Sequence, residues 1–181
     1  MSSIEAARAE FPGTGELTYM NVSARGLTPQ RSRNAVDAMM DNMQSGATDK
    51  AAMFDLIEQA RDGYAKLINA TSDEISLLKN VSEGLNAIIA AYPWKSGDNV
   101  VLCQDLEHPN NVYPWRHLNR RLGVEVRSVS PRDGAIPTDE ILAQINENTR
   151  MVTASSVTFA PGFRTAIGPI GAVCQIGRAH V

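Results

Sequence analysis

The stretch "NVVLCQDLEHPNNVYPWR" (Asn99–Arg116) carries an apolar run through a polar loop into an aromatic-rich segment. "NVVLC" (Asn99–Cys103) is short and rich in β-branched residues, as a buried strand would be. Gln104 to His108 interrupt it with charge, and Pro109 followed by two asparagines reads as a turn. The segment Asn110–Leu122 beyond it is helix-like. Strand, loop and helix in that order make one βα unit, and the fold depends on whether the unit repeats.

It does repeat. "EISLL" (Glu74–Leu78), "VEVRSV" (Val124–Val129) and "RMVTASS" (Arg150–Ser156) are further β-rich runs. Ser82–Tyr92, with Ser82 as its cap, and Thr138–Asn146, with Thr138 as cap and two acids in its first turn, are helix-like segments between them. The alternation predicts an α/β fold in three layers, a mainly parallel sheet with helices on both faces and right-handed crossovers. Upstream, "ELTYMNVS" (Glu16–Ser23) is a short extended segment leading into a small polar loop. A helix follows with Thr28 as cap and Pro29 at its first position. It carries Val36, Met39, Met40 and Met43 on one stripe. Asp49 starts a second helix, where Met53, Leu56, Ile57, Ala60, Tyr64, Leu67 and Ile68 keep three-four spacing. Both stripes are expected to be core.

Composition narrows the function. The 181 residues are 43% hydrophobic and 20% charged, with ample material for a core. A formal charge of −3 and a pI near 5.6 give no basic field for nucleic acid or an acidic membrane. No apolar run approaches the roughly 18 residues that suggest a membrane span. The start "MSSIEAARAEF" lacks the basic and apolar parts of a signal peptide, so a cytoplasmic location is expected. Cys103 and Cys174, far apart in the chain, suit neither a zinc cluster nor a disulfide framework. At the other end, "IGRAHV" (Ile176–Val181) matches one reading frame of a common sequencing-library adapter, six residues after "GPIGAVCQ" begins a helix. A non-native tail at 176–181, cutting short a longer gene, is the expectation.

In a parallel sheet, ligands collect at the carboxyl ends of the strands, where loops feed helix starts. Two such loops are polar, Lys79–Gly84 and Gln104–Asn111. In the first, free N–H groups at a helix start plus the Ser82 hydroxyl would suit a phosphate dianion. Ser82 as a plain cap is the competing reading, and taken alone the better one. In the second, His108 could be solvated, or could stack on a flat ligand whose phosphate the neighbouring loop holds. Metal ligation is excluded by spacing, since His117 lies about two and a half turns further along the helix. No Gly-x-Gly-x-x-Gly follows a strand, no P-loop signature occurs, and no Gly-x-Ser-x-Gly elbow supports a triad. A phosphate- or nucleotide-binding domain without catalysis remains an alternative at this level, as does a structural subunit using the Met39–Met43 face.

"NVSEGLNAI", "LEHPNNVYPW" and "VTASSVTFAPGFRTAIGPIGAVC" (Val152–Cys174) together resemble the class V aminotransferases. These fold-type-I pyridoxal-phosphate enzymes include cysteine desulfurases, selenocysteine lyases and isopenicillin-N-epimerase-like proteins. "YMNVSARGLTP" (Tyr19–Pro29) is similar to the family's N-terminal substrate-side loop, so the resemblance runs from about Glu16 to Cys174. It implies a division into an N-terminal arm and substrate-side loop (1–28), part of the cofactor-binding large domain (29–175) and the tail. It implies that Val81 and Ser82 bind the phosphate of pyridoxal 5'-phosphate. His108 would stack on its ring and assist proton transfer, and Ser23 and Ala24 would approach the substrate. Asn111 would be structural. One departure stands out: many members place Ser-Asn where this chain has Thr158-Phe159, and Phe159 cannot donate to the ring hydroxyl. The Schiff-base lysine, the aspartate facing the ring nitrogen and the desulfurase's persulfide cysteine all fall later in the family's pattern. Lys79 is expected to be a solvated strand-end residue, and the 181-residue chain to be inactive alone. The implied activity is transamination, epimerisation, or loss of sulfur or selenium from an amino acid or related amine. The implied parent is a homodimer without nucleic-acid or membrane partners.

Overall fold

A computed structural model describes residues 3–178. The chain falls into two compact units, Met1–Ser76 and Leu77–Val181.

The N-terminal unit is helical, with α1 (Ile4–Ala9), α2 (Gln30–Ser45) and α3 (Lys50–Ile68). Asp49 caps α3 as expected, its carboxylate accepting from the N–H groups of Ala51 and Ala52 at 2.9 and 3.2 Å. At α2 the expectation needs correcting, because Pro29 is the cap itself and Thr28 does not cap. Glu10 does that work from a distance. Its carbonyl accepts from Gln30 N–H at 2.7 Å and its carboxylate from Arg31 N–H at 3.1 Å. The unit closes with a 3₁₀ turn, Ser72–Glu74, in which Thr71 and Glu74 cap each other reciprocally. Arg61 fastens this turn to α3 by donating to the carbonyls of Ser72 and Ile75 at 2.7 and 3.0 Å.

Two expectations fail here. The methionine and leucine stripes are not core in this chain: Met39 is 48% exposed, Met40 59% and Leu67 79%. A helix satisfies its backbone hydrogen bonds internally, so the periodicity produces helices whether or not the stripe is covered. "EISLL" is not a strand either, although Ile75 is buried and extended. Its backbone finds no ladder partner among the described residues, and without a neighbour an extended segment is not a strand.

The C-terminal unit runs α4 (Val81–Ala91), β1 (Asn99–Leu102), α5 (Tyr113–Leu122), β2 (Glu125–Ser128), α6 (Thr138–Gln144), β3 (Thr149–Val152) and α7 (Ile167–Arg178). Its sheet has three strands in the order β2-β1-β3, all parallel. Asn99 stands opposite Glu125 on one side and Thr149 on the other, with an irregularity in the β1–β3 pairing after Asn99. Every residue of β1 is buried, because both faces of this central strand are covered. Val100 and Leu102 face Trp115 and Leu118 of α5, with Leu85 and Ile89 of α4 beside them. Val101 and Cys103 point the other way, to Ile141 of α6 and Ile170 of α7. The three-layer arrangement is therefore the one the alternation predicts. α5 takes the chain from β1 to β2 across one face, and α6 returns it to β3 across the other. Opposite directions on opposite faces give both crossovers the same hand.

Two helix starts also differ from expectation. Asn80, not Ser82, caps α4, its Oδ1 accepting from Glu83 N–H at 2.9 Å. Pro137 occupies the cap position of α6, and the Thr138 hydroxyl instead donates to the Ala166 carbonyl at 3.3 Å. Asp139 and Glu140 do fall in the first turn of α6, where Arg132 pairs with both. Arg132 holds the Asp139 carboxyl below its usual range.

Candidate active site

The chain leaves β1 at the sheet's carboxyl edge, between a connection to β2 on one side and β3 on the other. That is the switch point at which open α/β sheets bind ligands. Leu102 continues through Cys103 into two short 3₁₀ turns, Gln104–Leu106 and Pro109–Asn111, with His108 as the cap of the second. The His108 Nδ1 accepts from Asn110 N–H at 3.3 Å. In the neutral imidazole this leaves the proton on Nε2.

Relieving Ser82 of the cap changes its reading. Asn80 satisfies Glu83 N–H, and the Glu83 carboxylate accepts from Lys79 N–H at 2.8 Å. Among the described residues, the N–H groups of Val81 and Ser82 and the Ser82 hydroxyl have no partner. Two free donors, a hydroxyl and the positive end of a three-turn helix can receive a dianion. A cleft of about 490 Å³ opens there, lined by Ser82, Asn86, His108, Asn110, Tyr113 and His117 among others. The structure thus brings Ser82 and His108 together on one open surface cleft. A phosphorylated ligand fits that donor set.

Residues not singled out from the sequence for this site also line it. Asn86 lies one turn after Ser82, and His117 one turn after Tyr113, so four-residue spacing was the signal available. Phe159 packs edge-on against His108, ring centroids 4.9 Å apart and planes at 84°. Its N–H donates to the Leu106 carbonyl at 3.3 Å. The residue that cannot serve a ring hydroxyl thus flanks the histidine. The preceding hydroxyl, Thr158 Oγ1, accepts from Gly162 and Phe163 N–H at 3.2 and 3.0 Å, closing a turn.

Other candidates fall elsewhere. Ser23 and Ala24 belong to the N-terminal unit, exposed in a turn that Tyr19 ties by donating its hydroxyl to the Arg25 carbonyl at 2.6 Å. Lys79 is exposed. Burial pushes the Cys103 thiol above its ordinary value, and Asp105 and Glu107 add to this. A fully buried thiol of that kind is a poor nucleophile. No group of metal-ligating side chains occurs among the described residues, and no described helix is long and apolar enough to cross a membrane.

The fold and cleft define an α/β protein with free anion-binding donors beside the carboxyl edge of a parallel sheet. The model of the family "Aminotransferase class-V" matches residues 24–181, and the chain belongs to that family. A probable cysteine desulfurase of Methanothermobacter thermautotrophicus is 36% identical over 97% of this chain and 44% of its own length. A probable cysteine desulfurase 2 of Mycobacterium leprae is 30% identical, covering 92% of this chain and 44% of its own. Among solved structures, a C-DES mutant with glycine covalently linked to its PLP cofactor superposes with a TM-score of 0.82 at 27% identity, over 93% of this chain and 46% of that one. An apo cysteine desulfurase from Thermococcus onnurineus shares the fold with a TM-score of 0.83 at 24% identity, over 98% of this chain and 46% of its own. The chain therefore spans less than half the length of these relatives.

Proposed function

We propose that this chain is the cofactor-binding part of a pyridoxal-phosphate-dependent enzyme of the cysteine desulfurase kind, acting on an amino acid or related amine. The observation that carries the reading is the single cleft shared by Ser82 and His108. In that cleft pyridoxal 5'-phosphate supplies an electron-withdrawing ring that stabilises charge at the substrate's α-carbon. The N–H groups of Val81 and Ser82 and the Ser82 hydroxyl hold the phosphate at the positive end of α4. His108 would stack on the ring and could hold or pass a proton through Nε2. Ser23 and Ala24 serve the substrate-side loop. The relatives' names support carbon–sulfur chemistry over transamination or epimerisation. Family membership does not favour the alternative of a non-catalytic nucleotide-binding domain.

The remaining parts of the proposal concern organisation. Residues 1–28 form the arm, 29–175 part of the large domain, and 176–181 a non-native tail, of which 179–181 lie outside the described residues. The working enzyme is a cytoplasmic homodimer. The 181-residue chain alone holds the cofactor without a covalent lysine link and without turnover.

Titration of the chain with pyridoxal 5'-phosphate, followed by tryptophan fluorescence and then borohydride reduction, tests the reading. Saturable binding that inorganic phosphate displaces is expected. Ser82→Ala should weaken it roughly tenfold, the worth of one hydrogen bond to a charged group. No lysine adduct should form. Absence of saturable binding sinks the cofactor assignment, and a stoichiometric adduct on Lys79 overturns the non-covalent part.

A further inference from the structure

We propose that Glu107 is a positioning residue for His108, acting through a directional chain of hydrogen bonds that locks the histidine's loop to the end of β3. The inference rests on the reading of His108 as the residue that faces the cofactor. Glu107 directly precedes it and is only 5% exposed. Its Oε1 accepts from Ser155 N–H at 2.6 Å. Its Oε2 accepts from the Ser155 hydroxyl at 2.6 Å and from the Asn111 amide at 2.9 Å. The Asn111 Oδ1 in turn accepts from Trp115 Nε1 at 3.1 Å and from the Thr153 hydroxyl at 2.7 Å.

The polarity of each link follows from the groups involved. An indole N–H and a backbone N–H only donate. Asn111 must therefore turn its oxygen toward Trp115 and its NH₂ toward Glu107, whose two oxygens accept from that NH₂ and from Ser155 N–H. Among the described residues no cation pairs with Glu107. A buried carboxylate is costly unless its hydrogen bonds are complete, and here three donors complete them. The result brackets His108. Glu107 on one side and Asn111 on the other are fixed by the same contact, and Asn111 N–H donates to the His108 carbonyl at 2.8 Å. Between them Asn110 N–H donates to Nδ1 of the imidazole. Trp115, buried in the core, anchors the far end of the chain. His108 itself is exposed, and the fixed neighbours on either side, with the Asn110 N–H bond to Nδ1, set the orientation of its ring.

Reversing one link tests the proposal in the full 181-residue chain. In Glu107→Gln, Ser155 N–H still requires an oxygen, so the new NH₂ faces the Asn111 NH₂. That single contact is broken while the Ser155 contacts survive. Asn111 cannot rotate to repair it without setting its NH₂ against the Trp115 indole N–H, which can only donate. Adding Asn111→Asp restores an acceptor opposite the new donor and rebuilds the chain with the Glu107–Asn111 link reversed. The readout is the ¹⁵N signal pair of the His108 imidazole and the Asn110 amide shift, with circular dichroism to confirm folding. Glu107→Gln is expected to mix the imidazole tautomers, shift the Asn110 amide and weaken pyridoxal 5'-phosphate binding roughly tenfold. The double variant should return all three toward the parent. Parent-like His108 signals in folded Glu107→Gln, or no recovery in the double variant, overturn the proposal. If Glu107→Gln does not fold, Asn111→Asp alone decides, because it sets two carboxylates face to face. Changed His108 signals in it support the role and unchanged ones refute it. The imidazole signals need no cofactor, so a parent chain that binds none would break the cofactor reading and leave this test standing.

Discussion

The two units of this chain spend the same kind of sequence differently. Among the described residues of the N-terminal unit, Ala65 and Ile75 are the buried apolar ones, while the stripes of α2 and α3 remain largely exposed. In the C-terminal unit two apolar clusters enclose β1 completely, one on each face. The contrast shows how far each element depends on company. A helix closes its own hydrogen bonds and forms with a bare apolar face, but a strand exists only beside another strand. "NVVL" lies between two partners and is the best-buried segment of the molecule, whereas "EISLL" has none and stays irregular.

The sharpest way to break that comparison is to remove a large side chain from each unit. Trp115 is 1% exposed, and Trp115→Ala should lower the stability of the C-terminal unit by about 3–5 kcal/mol in urea unfolding. Met40→Ala, at a residue 59% exposed, should change stability by less than about 0.5 kcal/mol. Comparable losses at both sites would show that the α2 stripe is covered after all. Between these extremes lies Asn80→Ala, which removes the cap of α4 at a cost of about 1 kcal/mol. If the cost instead falls on Ser82→Ala, the assignment of the cap is wrong and the phosphate donors are not free. The smallest effect concerns Glu74, whose carboxyl is held below its ordinary value by the Thr71 N–H and hydroxyl. Its folded-state pKa lies under its unfolded one, so the capping contribution is complete above the ordinary carboxylate range. It is lost as pH falls through the folded value. A Glu74→Gln variant should therefore show a slightly shallower acid limb in thermal melts than the parent, and an identical limb would deny the cap any role in acid stability.

Much of the site was legible because its parts are local. A polar loop after an apolar run, a proline turn and a helix put His108 at a strand's carboxyl end. A second such loop put Ser82 at a helix start. What could not be read was which neighbour would take the cap. Asn80 and Ser82 are both good capping residues, and the choice depends on where the chain enters α4. The same holds for Glu107. As a charged residue in a loop it looks solvated, and two of its three donors come from Ser155, 48 positions later.

By itself the sequence determined the βα alternation, the helical periods, the two loops and the resemblance to class V aminotransferases. All of these follow from residue spacing and turn chemistry within a few positions. Tertiary structure decided which extended segments became strands, which stripes were covered, that Ser82 and His108 share a cleft, and that Phe159 flanks the imidazole. Those outcomes turn on contacts between residues far apart in the chain, where a strand's hydrogen bonds, a buried carboxylate's donors and an aromatic ring's packing partner all have to come from somewhere else.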